Sequence, residues 1–148
     1  MLLRKNFLIL LTVMLFSISI KAQDFDYYQN IYIEKVAKAK LGKKYVWGGN
    51  GRRGYDCSGF TKKVFAKNGI KIPRASWKQA RVGKKVSRKN LRKGDLIFFN
   101  SRKQKRVNHV GIYLGNGRFI HASSFHKRIV ISKLKEYKRY FQWGRRLT

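Results

Sequence analysis

Cys57 is the only cysteine in the chain and stands in the run Gly54-Tyr55-Asp56-Cys57-Ser58-Gly59-Phe60. Its small, polar neighbours leave a side chain accessible, whereas a structural cysteine is usually packed among apolar groups. Asp56 is a good helix N-cap, Phe60, Val64 and Phe65 recur at helical spacing, and Gly69 closes the segment, so Cys57 is expected in the first turn of a helix over 57–68. Unpaired N–H groups and the helix dipole stabilise an anion there, which draws a thiol toward its nucleophilic thiolate form. Such a nucleophile needs a base that takes its proton and returns it to a leaving amine, and imidazole suits that work near neutral pH. The candidates are His109, which opens His109-Val-Gly-Ile-Tyr-Leu-Gly, and His121, in Phe119-Ile-His121-Ala-Ser. His126 lies beside Lys127 and Arg128 in a basic turn and reads as a surface residue. Together these residues describe acyl transfer through a thioester, with one imidazole as base and a second group orienting it. On residue types alone each histidine also fits a structural role.

The elements around them follow from periodicity. Ile31, Ile33, Val36, Ala37 and Leu41 fall near helical spacing before Gly42, which predicts a helix over about 28–41. The segment Tyr45-Val-Trp-Gly-Gly-Asn-Gly is too rich in glycine for regular structure and reads as a loop, and Ser76 to Arg81 fits one short helical turn after Pro73. From Leu96 onward the pattern changes. Leu96-Ile-Phe-Phe, Val107 to Leu114, Arg118 to Ala122, Ile129-Val-Ile and Tyr140 to Arg145 are short β-branched or aromatic runs between turn residues, with Asn116-Gly117 as a hairpin signal. Helices first and strands afterwards predict an α+β domain, with helices on one side of an antiparallel sheet of about five strands. Adjacent strands lie about 5 Å apart, so His109 and His121 are expected on one sheet face, aimed at the helix start that carries Cys57.

Export and charge set the context. Arg4 and Lys5 precede an apolar run from Phe7 to Ile20, and Lys21-Ala22-Gln23 follows; this reads as a secretory signal peptide over residues 1–22, cleaved after Ala22, with one domain over 23–148. The run is short for a bilayer span, so no stable membrane anchor is expected. Oxidising compartments usually pair their cysteines, and an odd one there calls for a chemical explanation. One cysteine excludes a disulfide framework or a multi-cysteine metal site, and six scattered acids offer no carboxylate cage, so no metal or other cofactor is expected. The chain carries 36 Lys and Arg against 6 Asp and Glu, a formal +30. These cations run along the chain, for example Lys43, Lys44, Arg52, Arg53, Lys84, Lys85, Arg102, Lys103, Lys105 and Arg106, which suits an all-round basic surface facing anionic envelope polymers. Export argues against a nucleic-acid partner.

The ordered set Tyr45-x-Trp-Gly-Gly, Asp56-Cys57-Ser58-Gly59-Phe60, Pro73-Arg74, Gln79, Gly94-Asp95-Leu96-Ile-Phe-Phe, His109-Val-Gly-Ile-Tyr, Gly115-Asn-Gly and His121-Ala-Ser resembles the NlpC family of cell-wall cysteine peptidases. The resemblance runs over about residues 29–146 and implies a papain-like α+β domain that cleaves stem or cross-link peptides of peptidoglycan. By position it implies Cys57 as nucleophile, His109 as general base and acid, and His121 as the residue that orients His109. It also implies Tyr45 beside the oxyanion region, and Asp56 and Ser58 as groups that help bind a substrate amine in some members. Asp95 reads better as a turn residue. Two other readings remain open at this stage: a non-catalytic basic protein that binds the envelope, and an acyltransferase or amidase on the same fold.

Overall fold

A computed structural model describes residues 1–101 and 104–148; the basic pair Arg102 and Lys103 lies outside the described residues. Helix α1 spans Leu2–Lys38, α2 spans Cys57–Lys67 and the short α3 spans Ser76–Gln79. Among the described residues six strands follow: β1 Lys84–Val86, β2 Leu96–Phe99, β3 His109–Gly115, β4 Arg118–Ser123, β5 Arg128–Lys133 and β6 Phe141–Arg146. They form one antiparallel sheet in the order β1-β6-β2-β3-β4-β5. The architecture is therefore α+β.

The first helix differs from its expected span. It begins near the amino terminus, because residues 2–27 contain neither Gly nor Pro to break it, and it ends at Lys38 rather than Leu41, in a turn closed by Gly42 at φ +78°. Its apolar part is exposed, while Ile33 and Ala37 near the other end are buried in the domain. A sixth strand, β1, was not legible in Lys84-Lys85-Val86, because only Val86 faces the interior and pairing with β6 supplies the rest. The Asn116-Gly117 hairpin is as expected, with both residues at positive φ (51° and 67°), the backbone of a tight two-residue turn.

Strand alternation divides the interior into two layers. Leu96 and Phe98 of β2, Val110 and Ile112 of β3, and Ile120 and Ala122 of β4 pack against Ile33 and Ala37 of α1 and Phe60, Val64 and Phe65 of α2. The intervening residues Ile97, Phe99 and Phe119 pack on the opposite face with Leu134 and, at its margin, Tyr113, Tyr137 and Phe141. His109 and His121 share the parity of that second face. Both imidazoles do share one face, as expected, but it is the face away from the helices. The site forms because His109 is the first residue of β3, at the strand end where the N-terminus of α2 arrives.

Candidate active site

Helix α2 starts at Cys57 for the reason the sequence indicates. Asp56 has extended backbone, and its carboxylate Oδ1 accepts the Gly59 N–H at 2.7 Å, the side-chain cap of the first turn. Arg74 braces this cap. Its Nη1 donates to Asp56 Oδ1 and Ser58 Oγ, both at 2.9 Å, and its Nη2 donates to Asp56 Oδ2 at 2.7 Å and to the Gly49 carbonyl at 3.2 Å. Buried Gln79 completes the clamp: its amide donates to the carbonyls of Ser58 (3.0 Å) and Pro73 (2.7 Å) and its oxygen accepts from Thr61 (2.8 Å). The acceptors of Asp56 and Ser58 are thus committed to Arg74, and a substrate ammonium reaching Asp56 would share it with a guanidinium.

Cys57, His109, His121, Tyr45, Asp56 and Ser58 all line one cleft of about 580 Å³. The sulfur lies beside the start of β3, where the Val110 N–H bonds to it. His109 Nε2 and His121 Nδ1 are 2.8 Å apart, and His121 Nε2 is 3.0 Å from Ser132 Oγ on β5. With Nε2 engaged by His121, Nδ1 of His109 is the ring nitrogen left to serve a thiol. Aromatic rings enclose the pair: Phe99 lies 5.8 Å from His109 between centroids, and Phe119 and Tyr137 lie 4.6 and 5.5 Å from His121. Tyr45 reaches the cleft because residues 42–45 run beside β5, with its N–H on the Lys127 carbonyl at 3.0 Å.

The electrostatics correct the expectation of a lowered thiol pKa. Burial pushes Cys57 up to about 11 and the neighbouring Asp56 charge adds to this, outweighing the N–H groups of Val110, Ser58 and Cys57 that act the other way. Burial also holds His109 down at about 4. His121 is lowered by burial and then by the charges of His109 and His126. At neutral pH the thiol and both imidazoles are therefore uncharged at rest, and the chemistry open to them is proton transfer to His109 in step with attack by sulfur.

His126 sits outside this cleft, exposed in the β4–β5 turn, with its Nδ1 3.0 Å from Ser123 Oγ. Asp95 is buried and structural, accepting from the Arg92 N–H and, through both oxygens, from Arg146. Sequence reasoning missed the roles of Arg74, Gln79 and Ser132. Pro73-Arg74 and Gln79 carried a motif signal without a mechanism, and Ser132 carried none.

Comparison with known proteins gives a family-model match over residues 42–146, described as the NlpC/P60 family. A probable endopeptidase p60 of Listeria innocua is 50% identical over 86 residues, 58% of this chain and 18% of the relative. The murein DD-endopeptidase MepS/murein LD-carboxypeptidase of Escherichia coli is 41% identical over 109 residues, 72% of this chain and 56% of the relative. The chain thus spans less than two thirds of the length of these relatives. A crystal structure of an NlpC/P60 family protein from Bacillus cereus superposes with a TM-score of 0.74 at 38% identity, covering 79% of this chain and 39% of that one.

Proposed function

Because this chain belongs to the NlpC/P60 family, we propose that it is an exported cysteine peptidase that hydrolyses peptide bonds in the stem or cross-link peptides of peptidoglycan. The observation that carries the reading is the 2.8 Å contact between His109 Nε2 and His121 Nδ1 in a cleft shared with Cys57. Relatives named as an endopeptidase and a murein endopeptidase support the substrate class.

In this reading the Cys57 thiol gives its proton to His109 as sulfur attacks the scissile carbonyl carbon. The tetrahedral oxyanion is held by the Cys57 backbone N–H at the first turn of α2 and by the Tyr45 hydroxyl. The C–N bond breaks, the amine leaves with the proton from His109, and a thioester remains on Cys57. Water, deprotonated by His109, then attacks the thioester, and the thiol is regenerated as it takes back that proton. His121 keeps the His109 ring oriented through both steps. Asp56 and Ser58 form the polar wall of the cleft and contact substrate together with Arg74. No cofactor takes part.

Residues 1–22 serve as the secretory signal, which the exposed apolar part of α1 supports, and the basic surface of 23–148 adheres to anionic envelope polymers. The test is digestion of purified peptidoglycan by the chain lacking residues 1–22, beside its Cys57→Ala variant, with products identified by mass spectrometry. Stem-peptide fragments from the wild type alone are the expected result and identify the bond. Folded wild type that binds several wall types and releases nothing would end the peptidase reading. A mass gain from acyl transfer to an acceptor would redirect it to the acyltransferase alternative.

A further inference from the structure

We propose that Ser132 is a positioning residue of this site: its hydroxyl, 3.0 Å from His121 Nε2, serves as the acceptor that the His121 tautomer with an Nε2–H and a bare Nδ1 requires, the tautomer whose Nδ1 accepts the His109 Nε2–H. The inference rests on the roles given above to Cys57 and His109.

The geometry follows from strand register. Ile112 of β3 pairs with Ile120 of β4, so one step further Gly111 faces His121, and His109 is its diagonal neighbour. On the other side of β4, Ser132 pairs with Phe119 and is the diagonal neighbour of His121. His109, His121 and Ser132 therefore form one line across β3, β4 and β5 on a single face, with contacts of 2.8 and 3.0 Å.

Only one hydrogen fits between His109 Nε2 and His121 Nδ1. If it belongs to His109, then His109 Nδ1 is bare and can take the thiol proton, and His121 carries its own hydrogen on Nε2, pointing at Ser132 Oγ. If it belongs to His121, a neutral His109 carries its hydrogen on Nδ1 and cannot act as the base. The productive arrangement leaves His121 Nε2–H in need of an acceptor, and His121 is 1% exposed, so water does not supply one. Ser132 is itself buried and does. When His109 becomes an imidazolium it must donate through Nε2, and the same acceptor is then required. The groups facing the histidine pair from neighbouring elements are Cys57 on α2, with Asp56 paired to Arg74 behind it, His126 in the β4–β5 turn and Tyr137 in the turn after β5. None of these touches His121 Nε2, which leaves Ser132 as its partner among the described residues.

Nitrogen-15 NMR of the histidine-labelled wild type at neutral pH tests the tautomer without any substitution. His121 protonated at Nε2 and bare at Nδ1 is expected; the opposite assignment overturns the proposal. Ser132→Ala should lower kcat on peptidoglycan about ten- to a hundredfold with KM unchanged and move His121 toward the Nδ1–H form, while Ser132→Thr, which keeps the hydroxyl, should retain both the tautomer and the rate. A Ser132→Ala protein that loses thermal stability but keeps its tautomer and kcat would show a merely structural serine and overturn the proposal. If the wild type has the expected tautomer, and Ser132→Ala shifts it, while no wall is cleaved, the relay stands and the peptidase reading falls.

Discussion

At the scale of single residues, the site depends on what is absent at position 111. Gly111 faces His121, and a Cβ there would meet the Phe119 ring at 2.8 Å, the Ile120 carbonyl at 3.0 Å and the His121 Cβ at 3.2 Å. Phe119 is fully buried and has no room to yield. Gly111→Ala is therefore expected to destabilise the fold by about 1–3 kcal/mol and to cut the proposed peptidase activity by displacing the His121 ring. Urea denaturation and a peptidoglycan digest read the two effects, and unchanged activity would mean that His121 has more freedom than the packing indicates. His109 and His121 were legible as candidates because a thiol nucleophile calls for imidazole. Gly111 and Ser132 were not, because their roles depend on which residue the neighbouring strand sets against them.

Among the elements, α2 makes the clearest case for local determination. Its cap, its buried face and its stop signal are all written within residues 56–69, so its position and its cysteine could be read directly. Its brace could not be read, since Arg74 lies 18 residues beyond Asp56 and only folding brings the two together. The two contributions of Asp56 can be separated. Asp56→Asn retains an oxygen for the Gly59 N–H and loses the ion pair, whereas Asp56→Ala loses both. The alanine variant should cost about 1–2 kcal/mol, because a cap contributes about 1 and the Arg74 pair is discounted for a guanidinium that is 36% exposed. The asparagine variant should cost about half as much. Equal shifts in the urea midpoint for the two would assign the effect to the ion pair rather than the cap. At the sheet margin β1 is an edge strand bearing exposed Lys84 and Lys85, charges that discourage pairing with another chain. Lysines in that function leave no apolar alternation, which is why this strand was not anticipated.

For the molecule as a whole, two neutral histidines, His121 buried and His109 half-buried, tie stability to pH. In the unfolded chain a histidine binds a proton near pH 6.5, while folded His109 resists until about 4, and His121 is shifted in the same direction. Between these values the unfolded state holds more protons, so stability falls as pH drops from about 6.5 toward 4, by an amount on the order of 2 kcal/mol for His109. A thermal-melting series across that range should show Tm declining; a flat profile down to pH 4.5 would contradict the uncharged pair. The Cys57 shift acts at the other end: a thiol held up at about 11 withholds its ionisation from the folded state, so stability also declines as pH rises above the unfolded thiol range near 9.

Composition, local periodicity and motif order by themselves determined an α+β domain, a cysteine at the start of a helix, and two histidines on neighbouring strands, because each of these is a short-range property of residues close in the chain. Tertiary structure alone decided the rest. It put the imidazoles on the sheet face away from the helices and brought them to Cys57 at the strand end. It committed Asp56 to Arg74 and set Ser132 behind His121. It also reversed the expected direction of the thiol shift, since a helix N-terminus acts within one turn whereas desolvation is the sum of everything packed around the sulfur.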